Sequence, residues 1–162
     1  MDIRELYETY FSTVYKYIFS ISRDVHIAED VTQETFFKAL KYADGFRGDC
    51  KLSVWLIQIA KKCYMDELRK RKRTLSAEEI EGTVSSEDLS VSYIEKEKAL
   101  SVHRKLHQLK EPYKEVVSLR IFGELSFKEI GEIFGKSENW ARVTYHRGKT
   151  RIKEELENDD HM

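Results

Sequence analysis

Apolar residues recur every three or four positions in the first third of the chain, which is the spacing of an amphipathic helix. Residues 3–21 carry one such stripe and residues 26–41 carry a second, so two helices are predicted there. The positions predicted to face inward are Leu6, Tyr10, Val14, Tyr17, Ile18 and Ile21, followed by Ile27, Val31, Phe36, Phe37 and Leu40.

The pattern breaks at residues 43–49, where two glycines predict a loop. A long helix is predicted over residues 52–72, and the first unit is therefore a bundle of three or four helices. Its inward positions are Leu52, Trp55, Leu56, Ile59, Cys63 and Leu68. Residues 74–94 are rich in Ser, Thr and acids with weak periodicity, which is typical of a flexible linker.

A second helical unit is predicted from about residue 95. Its first helix carries Leu100, Leu106 and Leu109, and a new helix starts at Glu111-Pro112, because proline suits the first helical turn. Apolar positions of that helix are Val116, Val117, Leu119 and Ile121, and the turn Gly123-Glu124-Leu125 follows. We therefore predict an all-α fold of two small helical domains, at residues 1–73 and 95–162.

The strongest local signal follows this turn. The segment SFKE at residues 126–129 is a capping box ahead of an apolar run, and Gly135 predicts a left-handed helix end. Ser137 is a candidate cap for a further helix that runs to about residue 156. Inward positions of this last helix are Ala141, Tyr145, Gly148 and Ile152. A helix, a short glycine turn and a basic helix together are typical of a helix-turn-helix.

The chain of 162 residues has 41% hydrophobic and 35% charged residues, with a single proline. Its two cysteines, Cys50 and Cys63, have no metal-ligand spacing, and we expect reduced thiols and no metal site. The start of the sequence does not resemble a signal peptide, and no run approaches the roughly 18 apolar residues of a membrane span. We therefore expect a cytoplasmic protein with no direct membrane insertion.

The formal net charge of −1 argues against nucleic-acid binding, but the distribution of charge reverses this. Residues 61–73 hold 7 basic and 2 acidic side chains, and residues 136–153 hold 6 and 1. Residues 74–98, in contrast, hold 2 basic and 7 acidic side chains. Since salt confines each field to about 8 Å, these local blocks matter more than the total.

Both basic blocks suit nucleic acid, in different ways. Arg142, Val143, His146 and Arg147 share an outward face of the last helix, which fits the reading of a major groove, although a solvated basic helix is the alternative. The block at residues 61–73 follows Phe46 and Trp55, and aromatic residues beside a basic track suit unstacked single-stranded bases. Plain core roles for Phe46 and Trp55 are the alternative there.

Several motifs resemble the extracytoplasmic-function (ECF) sigma factors of the bacterial sigma-70 superfamily. The segment AEDVTQETFF at residues 28–37 resembles the polymerase-binding helix of that family. FRGD at 46–49 and WLIQIA at 55–60 resemble its next conserved stretch. LSFKEIG at 125–131 and YHRGK at 145–149 resemble its C-terminal helix-turn-helix. The matches follow the family's order over roughly residues 3–156.

The resemblance implies a sigma factor, for a stress or envelope response, with these partners: core RNA polymerase (the clamp helices of the β′ subunit and the β flap), promoter DNA, and an anti-sigma factor, often membrane-anchored. The polymerase-binding residues would be Asp30, Gln33, Glu34 and Phe37. Those that open the downstream promoter element would be Phe46, Arg47, Lys51, Lys61 and Lys62. Those that read the upstream element as duplex would be Ser137, Asn139, Arg142, Val143, His146, Arg147 and Lys149. The acidic linker would run through the polymerase toward the RNA exit channel.

The chain departs from the family's pattern at two places. Relatives often have Asn where this chain has Lys62, in a pocket for a flipped base, and Lys offers a cation for phosphate but no amide acceptor. Where Gly-Thr often opens the recognition helix, this chain has Asn139-Trp140. Trp140 either packs on the preceding helices or meets a partner.

Two other function classes compete with a sigma factor. A stand-alone helix-turn-helix regulator would bind duplex DNA tightly without polymerase. An enzyme would need a reactive constellation, but the sequence has neither a phosphate-binding glycine loop nor a nucleophile elbow. His103 and His107 are four residues apart on a helix, yet no Glu lies between them as in a zinc-protease motif. We therefore expect no enzymatic activity, no catalytic residue and no cofactor.

Overall fold

The computed structural model describes residues 2–48, 50–75 and 93–160. Its elements there are seven α-helices and one short 3-10 turn, with no β-strand among these residues, which confirms the all-α prediction. The helices are α1 (Ile3–Ser22), α2 (Val25–Lys41), α3 (Leu52–Leu75), α4 (Tyr93–Gln108), α5 (Tyr113–Ile121), α6 (Phe127–Phe134) and α7 (Glu138–Asp160). They divide into two compact units, Met1–Ser85 and Ser86–Met162.

The first unit is formed by α1, α2 and α3, each of which contacts the other two. Aspartates begin the first two helices: Asp2 accepts the Arg4 N–H, and Asp24 accepts the N–H groups of His26 and Ile27. Arg23 ends α1 in the left-handed conformation, with φ 54°, so that α2 turns back along α1. The largest fully buried side chains described in this unit are Val14, Tyr17, Ile18, Val31, Leu56 and Ile57.

Three positions of the first unit that the apolar pattern predicts as inward are exposed. Phe37 is 66% exposed, Leu40 55% and Leu68 38%. Phe37 and Leu40 of α2 are exposed because α1 and α3 pack against two sides of this helix and leave a third side open. The apolar stripe of α2 is therefore wider than the surface that the unit buries.

The second unit contains α4 to α7, and the long α7 contacts each of the other three helices. Its core includes Leu106, Leu109, Val117 and Ile152. The predicted helix at Glu111-Pro112 begins one residue later, at Tyr113, with Pro112 as its N-cap, so the proline precedes the first turn. The predicted linker, residues 74–94, falls outside the described residues except at its ends, which belong to α3 and α4.

Candidate nucleic-acid and polymerase interface

Both ends of α6 and the start of α7 are capped as the sequence predicts. Ser126 Oγ accepts the Glu129 N–H at 3.1 Å, and Glu129 Oε1 accepts the Ser126 N–H at 2.8 Å, which completes a capping box. Gly135 ends α6 in the left-handed conformation with φ 66°, and its N–H reaches carbonyls of α6. Ser137 Oγ then accepts the Trp140 N–H at 3.0 Å. All three cap predictions are confirmed.

Two glycines set how closely the helices of this unit approach. A Cβ on Gly131 would lie 2.8 Å from the carbonyl oxygens of both Lys136 and Ser137, so the α6–α7 turn folds directly over this residue. A Cβ on Gly148 would lie 2.7 Å from Val117 Cγ2, at the crossing of α7 over α5. Because the close approach at Gly148 buries one side of α7 against α5, the opposite side of α7 faces solvent.

The outward side of α7 carries the residues predicted to read the upstream element. Arg142, His146, Arg147 and Lys149 are exposed, Val143 is 36% exposed, and Ala141, Thr144 and Gly148 are buried beneath them. Ser137 and Asn139 are exposed at the amino end of the same helix. The structure therefore brings the whole predicted set together on one helix, within four turns.

Trp140 packs against Phe134 of α6, with ring centroids 5.3 Å apart, and is half-buried. Of the two alternatives for this residue, packing on the preceding helix is the one that the structure shows. The contact joins the end of α6 to the start of α7, and so it helps to hold the exposed amino end of α7 in place.

The residues predicted to meet the downstream element lie in the segment before α3 and along α3 itself. Phe46 and Trp55 are both half-buried, with ring centroids 5.0 Å apart, so neither is a plain core residue. Lys51 precedes α3 and Lys62 lies on it, eleven residues later and three turns along; both are exposed, as is Arg47.

Lys61 stands apart from this group. It is half-buried, and one residue corresponds to about 100° of helical rotation, so it lies on a different strip of α3 from Lys62. Gln58, which the sequence analysis did not select, is exposed on the strip between Lys51 and Lys62. Its helical position, four residues before Lys62, is the signal that identifies it.

The predicted polymerase-binding residues share the open side of α2. Asp30, Gln33, Glu34 and Phe37 are all exposed, and Glu34 forms an ion pair of 3.4 Å with Lys38. Leu40 of α2 and Tyr42, the C-cap of this helix, are also exposed. A large apolar side chain between acidic and amide groups is typical of a protein interface.

The first unit also contains a buried thiol, Cys63, on α3. Burial raises the pKa of the Cys63 thiol above its usual value, which keeps it neutral and unreactive at neutral pH. Among the described residues there is no cluster of three or more His, Cys, Asp or Glu side chains that could hold a metal ion. Within the same residues, none of the helices is both long and apolar enough to span a membrane.

Besides Gln58, sequence reasoning missed an aromatic and cationic cluster next to Arg142. The ring of Phe127, at the start of α6, lies near the guanidinium groups of Arg120 and Arg142 and near the ring of His146. The sequence contains a weak signal for it, an aromatic residue directly after the Ser126 cap. The contacts themselves are tertiary and have no periodicity.

Comparisons with known proteins agree on one family. Models of Sigma-70 region 2 and Sigma-70, region 4 match residues 6–74 and 99–152. The RNA polymerase sigma factor YlaC of Bacillus subtilis is 31% identical over 96% of this chain and 92% of its own length. The ECF RNA polymerase sigma factor SigM of the same organism is 30% identical over 94% of each chain.

One solved structure shares the fold over nearly its whole length. This is the sigma factor RpoE from Bartonella quintana, solved in complex with the anti-sigma factor NepR. Its TM-score is 0.72 at 20% identity, and the match covers 95% of this chain and 96% of that one. At this identity the likeness describes the fold.

Proposed function

This chain belongs to the ECF sigma factors of the sigma-70 family, and from that premise we propose a role for each of its domains. It is an RNA polymerase sigma factor, a subunit that binds core polymerase and promoter DNA. A stand-alone regulator is not favoured, because a region 2 match covers residues 6–74. We propose that residues 1–73 bind polymerase and melt DNA, that 74–94 link the domains, and that 95–162 read the upstream element.

The observation that carries the upstream role is the exposed basic side of α7 over a capped turn. A helix of this kind fits the major groove, where Arg142 and Arg147 pair with guanine edges or phosphates. Ser137 and Asn139 lie at the amino end of α7, where free N–H groups favour a phosphate. Val143, His146 and Lys149 complete the surface, the first through apolar contact with a thymine methyl group.

The downstream role is proposed for the start of α3. Phe46 and Trp55 present half-buried ring faces, on which an unstacked base can lie, and Arg47, Lys51 and Lys62 supply cations for the backbone of the displaced strand. We assign Lys62 to phosphate contact rather than to a base pocket, because it has no acceptor. Lys61, on its own strip of α3, would contact the strand from the side.

The open side of α2 is proposed as the polymerase-binding surface, with Asp30, Gln33, Glu34 and Phe37 on the clamp helices of β′. Phe37 is the expected anchor, since a large exposed apolar side chain contributes most when a partner covers it. The second domain would meet the β flap, and the linker, with its acidic residues, would follow the path of nucleic acid toward the RNA exit channel.

The remaining proposals concern the setting of the protein. We propose a cytoplasmic subunit with no enzymatic activity and no cofactor, which serves a stress or envelope response. An anti-sigma factor, which is often membrane-anchored in this family, would hold it inactive. RpoE of Bartonella quintana is solved with such a partner, and that complex supports the proposal by analogy of fold.

The upstream role is tested with Arg142→Ala combined with Arg147→Ala in reconstituted holoenzyme. Transcription from promoters mapped by overexpression should fall, by about ten-fold or more for each arginine, while core binding is retained. A matched control replaces two exposed basic residues of the same unit, Arg104 and Lys110, by Ala. Promoter selection that survives the first pair would show that α7 is not the reading helix.

Polymerase binding is tested separately with Gln33→Ala combined with Phe37→Ala. We expect weaker retention of the chain on immobilised core polymerase, and unchanged retention for a control with Ser12→Ala and Lys16→Ala, exposed residues on α1. A gel-shift with and without core polymerase completes the test. Tight, sequence-specific binding of duplex by the free chain would favour the stand-alone regulator after all.

A further inference from the structure

Phe127 occupies an unusual place in the second unit. It is the first residue of α6, its backbone is fixed by the capping box, and its side chain is half-buried. Its ring lies 5.5 Å from the ring of Tyr145 and 6.3 Å from that of His146, between centroids. Phe127 thus reaches from the start of α6 to the exposed side of α7.

Two guanidinium groups lie over the same ring. The Cζ atom of Arg120 is 4.3 Å from the ring centroid and that of Arg142 is 5.4 Å away, both within the roughly 6 Å of a cation–π interaction. Arg120 is held from α5, because its Nη1 donates to the Leu125 carbonyl oxygen at 3.0 Å. The ring therefore joins side chains of α5 and α7.

Arg142 is restrained a second time on its own helix. Its Nη2 donates to Glu138 Oε1 at 3.3 Å, one turn earlier. An ion pair alone leaves a long exposed side chain free to choose among rotamers, and in water such a pair contributes little. A ring beneath the guanidinium adds a restraint on its plane, and a planar group that is ordered before binding loses less entropy when it binds.

We propose that Phe127 is a positioning residue for Arg142, which uses its ring face to hold the guanidinium in the orientation that reads the upstream duplex. This inference rests on the proposed function, since it takes Arg142 as a DNA-reading residue. Phe127 itself touches no base in this arrangement. It affects specificity by restricting the conformations of the Arg142 side chain.

The experiment uses holoenzyme reconstituted from core polymerase and the full chain. The probe is a synthetic duplex whose sequence the wild-type holoenzyme enriches from a pool with a randomised upstream window, and the reference is the same duplex with that window scrambled. The variants are Phe127→Leu and Phe127→Tyr, each also made with Arg142→Ala. Phe122→Leu is the matched control, because Phe122 is a half-buried ring of the same unit that stacks on His103 of α4.

Phe127→Leu should weaken binding of the enriched duplex by about three- to ten-fold, the size of a partly solvated cation–π contact, and leave the scrambled duplex unchanged. Phe127→Tyr, which keeps a ring face, should bind within about two-fold of wild type, and so should Phe122→Leu. In the Arg142→Ala background, Phe127→Leu should cause no further loss. Equal losses with and without Arg142, or equal losses on both duplexes, would mean a merely structural role and overturn the inference.

A second variant covers the case in which Leu at position 127 unfolds the unit. Trifluorophenylalanine at position 127 keeps the shape of the ring but removes the negative charge of its face. The melting temperature should be retained, and affinity for the enriched duplex should fall only when Arg142 is present. Unchanged affinity would overturn the positioning role, whereas an Arg142→Ala variant that selects promoters normally would overturn the proposed function itself.

Discussion

The crossing of α7 over α5 gives the sharpest test of how the second unit is packed. In an exposed helix interior, Gly148→Ala would stabilise the helix by about 1 kcal/mol. Here the new Cβ would lie 2.7 Å from Val117 Cγ2 and 3.3 Å from Tyr113 Cβ, whereas ordinary contact begins at 3.4 Å. Val117 is 1% exposed and β-branched, so it has no free space into which to rotate.

Overpacking of this kind typically costs about 1–3 kcal/mol, which exceeds the gain in helix propensity. We therefore expect Gly148→Ala to lower the free energy of unfolding by about 1–2 kcal/mol and the melting temperature of the unit by roughly 5–15 °C. A Val117→Ala background lacks the Val117 Cγ2 methyl group that the new Cβ would approach. There the same Gly148→Ala change should be neutral or stabilising, by up to about 1 kcal/mol.

The measurement needs a probe of the second unit alone. The chain holds two tryptophans, one in each unit, so a Trp55→Phe background leaves Trp140 as the reporter. Urea unfolding followed by Trp140 fluorescence then gives the stability of the four proteins of the cycle. An equal effect of Gly148→Ala with and without the Val117 side chain would refute the argument from close approach.

Two further predictions concern a helix cap and the thiols. Ser126→Ala removes the acceptor for the Glu129 N–H and should destabilise the second unit by about 1 kcal/mol in the same urea assay. Ser126→Thr, which keeps the hydroxyl group, should be close to wild type. No loss of stability in Ser126→Ala would mean that water replaces the cap. The two thiols are compared by titration of the native chain with a disulfide reagent at pH 8. Half-buried Cys50 should react well before buried Cys63, which should react only on unfolding because burial raises its pKa. Equal rates for the two thiols would contradict the burial of Cys63.

Features of this fold that depend on residues close in sequence were predictable, and features that depend on packing between helices were not. The capping box at Ser126, the left-handed Gly135 and the cap at Ser137 follow from residues within four positions of each other. Burial of Phe37 and Leu40 was predicted wrongly, because periodicity shows which side of α2 is apolar but not how much of it α1 and α3 cover.

The candidate site shows the same division. The exposed set on α7 was predictable, since residues three, four and seven apart share a side of one helix. The stack of Phe46 on Trp55 joins a loop to a helix, and the cluster of Arg120, Phe127 and Arg142 joins three helices. Such contacts depend on helix crossings that no short sequence window contains.

The separation of the two sides of α7 has a consequence for how new promoter preferences can arise. Gly148 and Ala141 hold the helix against its neighbours, while His146, Arg147 and Lys149 face solvent. Because the outward positions bury little, they tolerate exchange at small cost in folding, so a library randomised there should yield many folded proteins. The scaffold and its specificity can thus be varied separately, and an engineer could reprogram one without rebuilding the other.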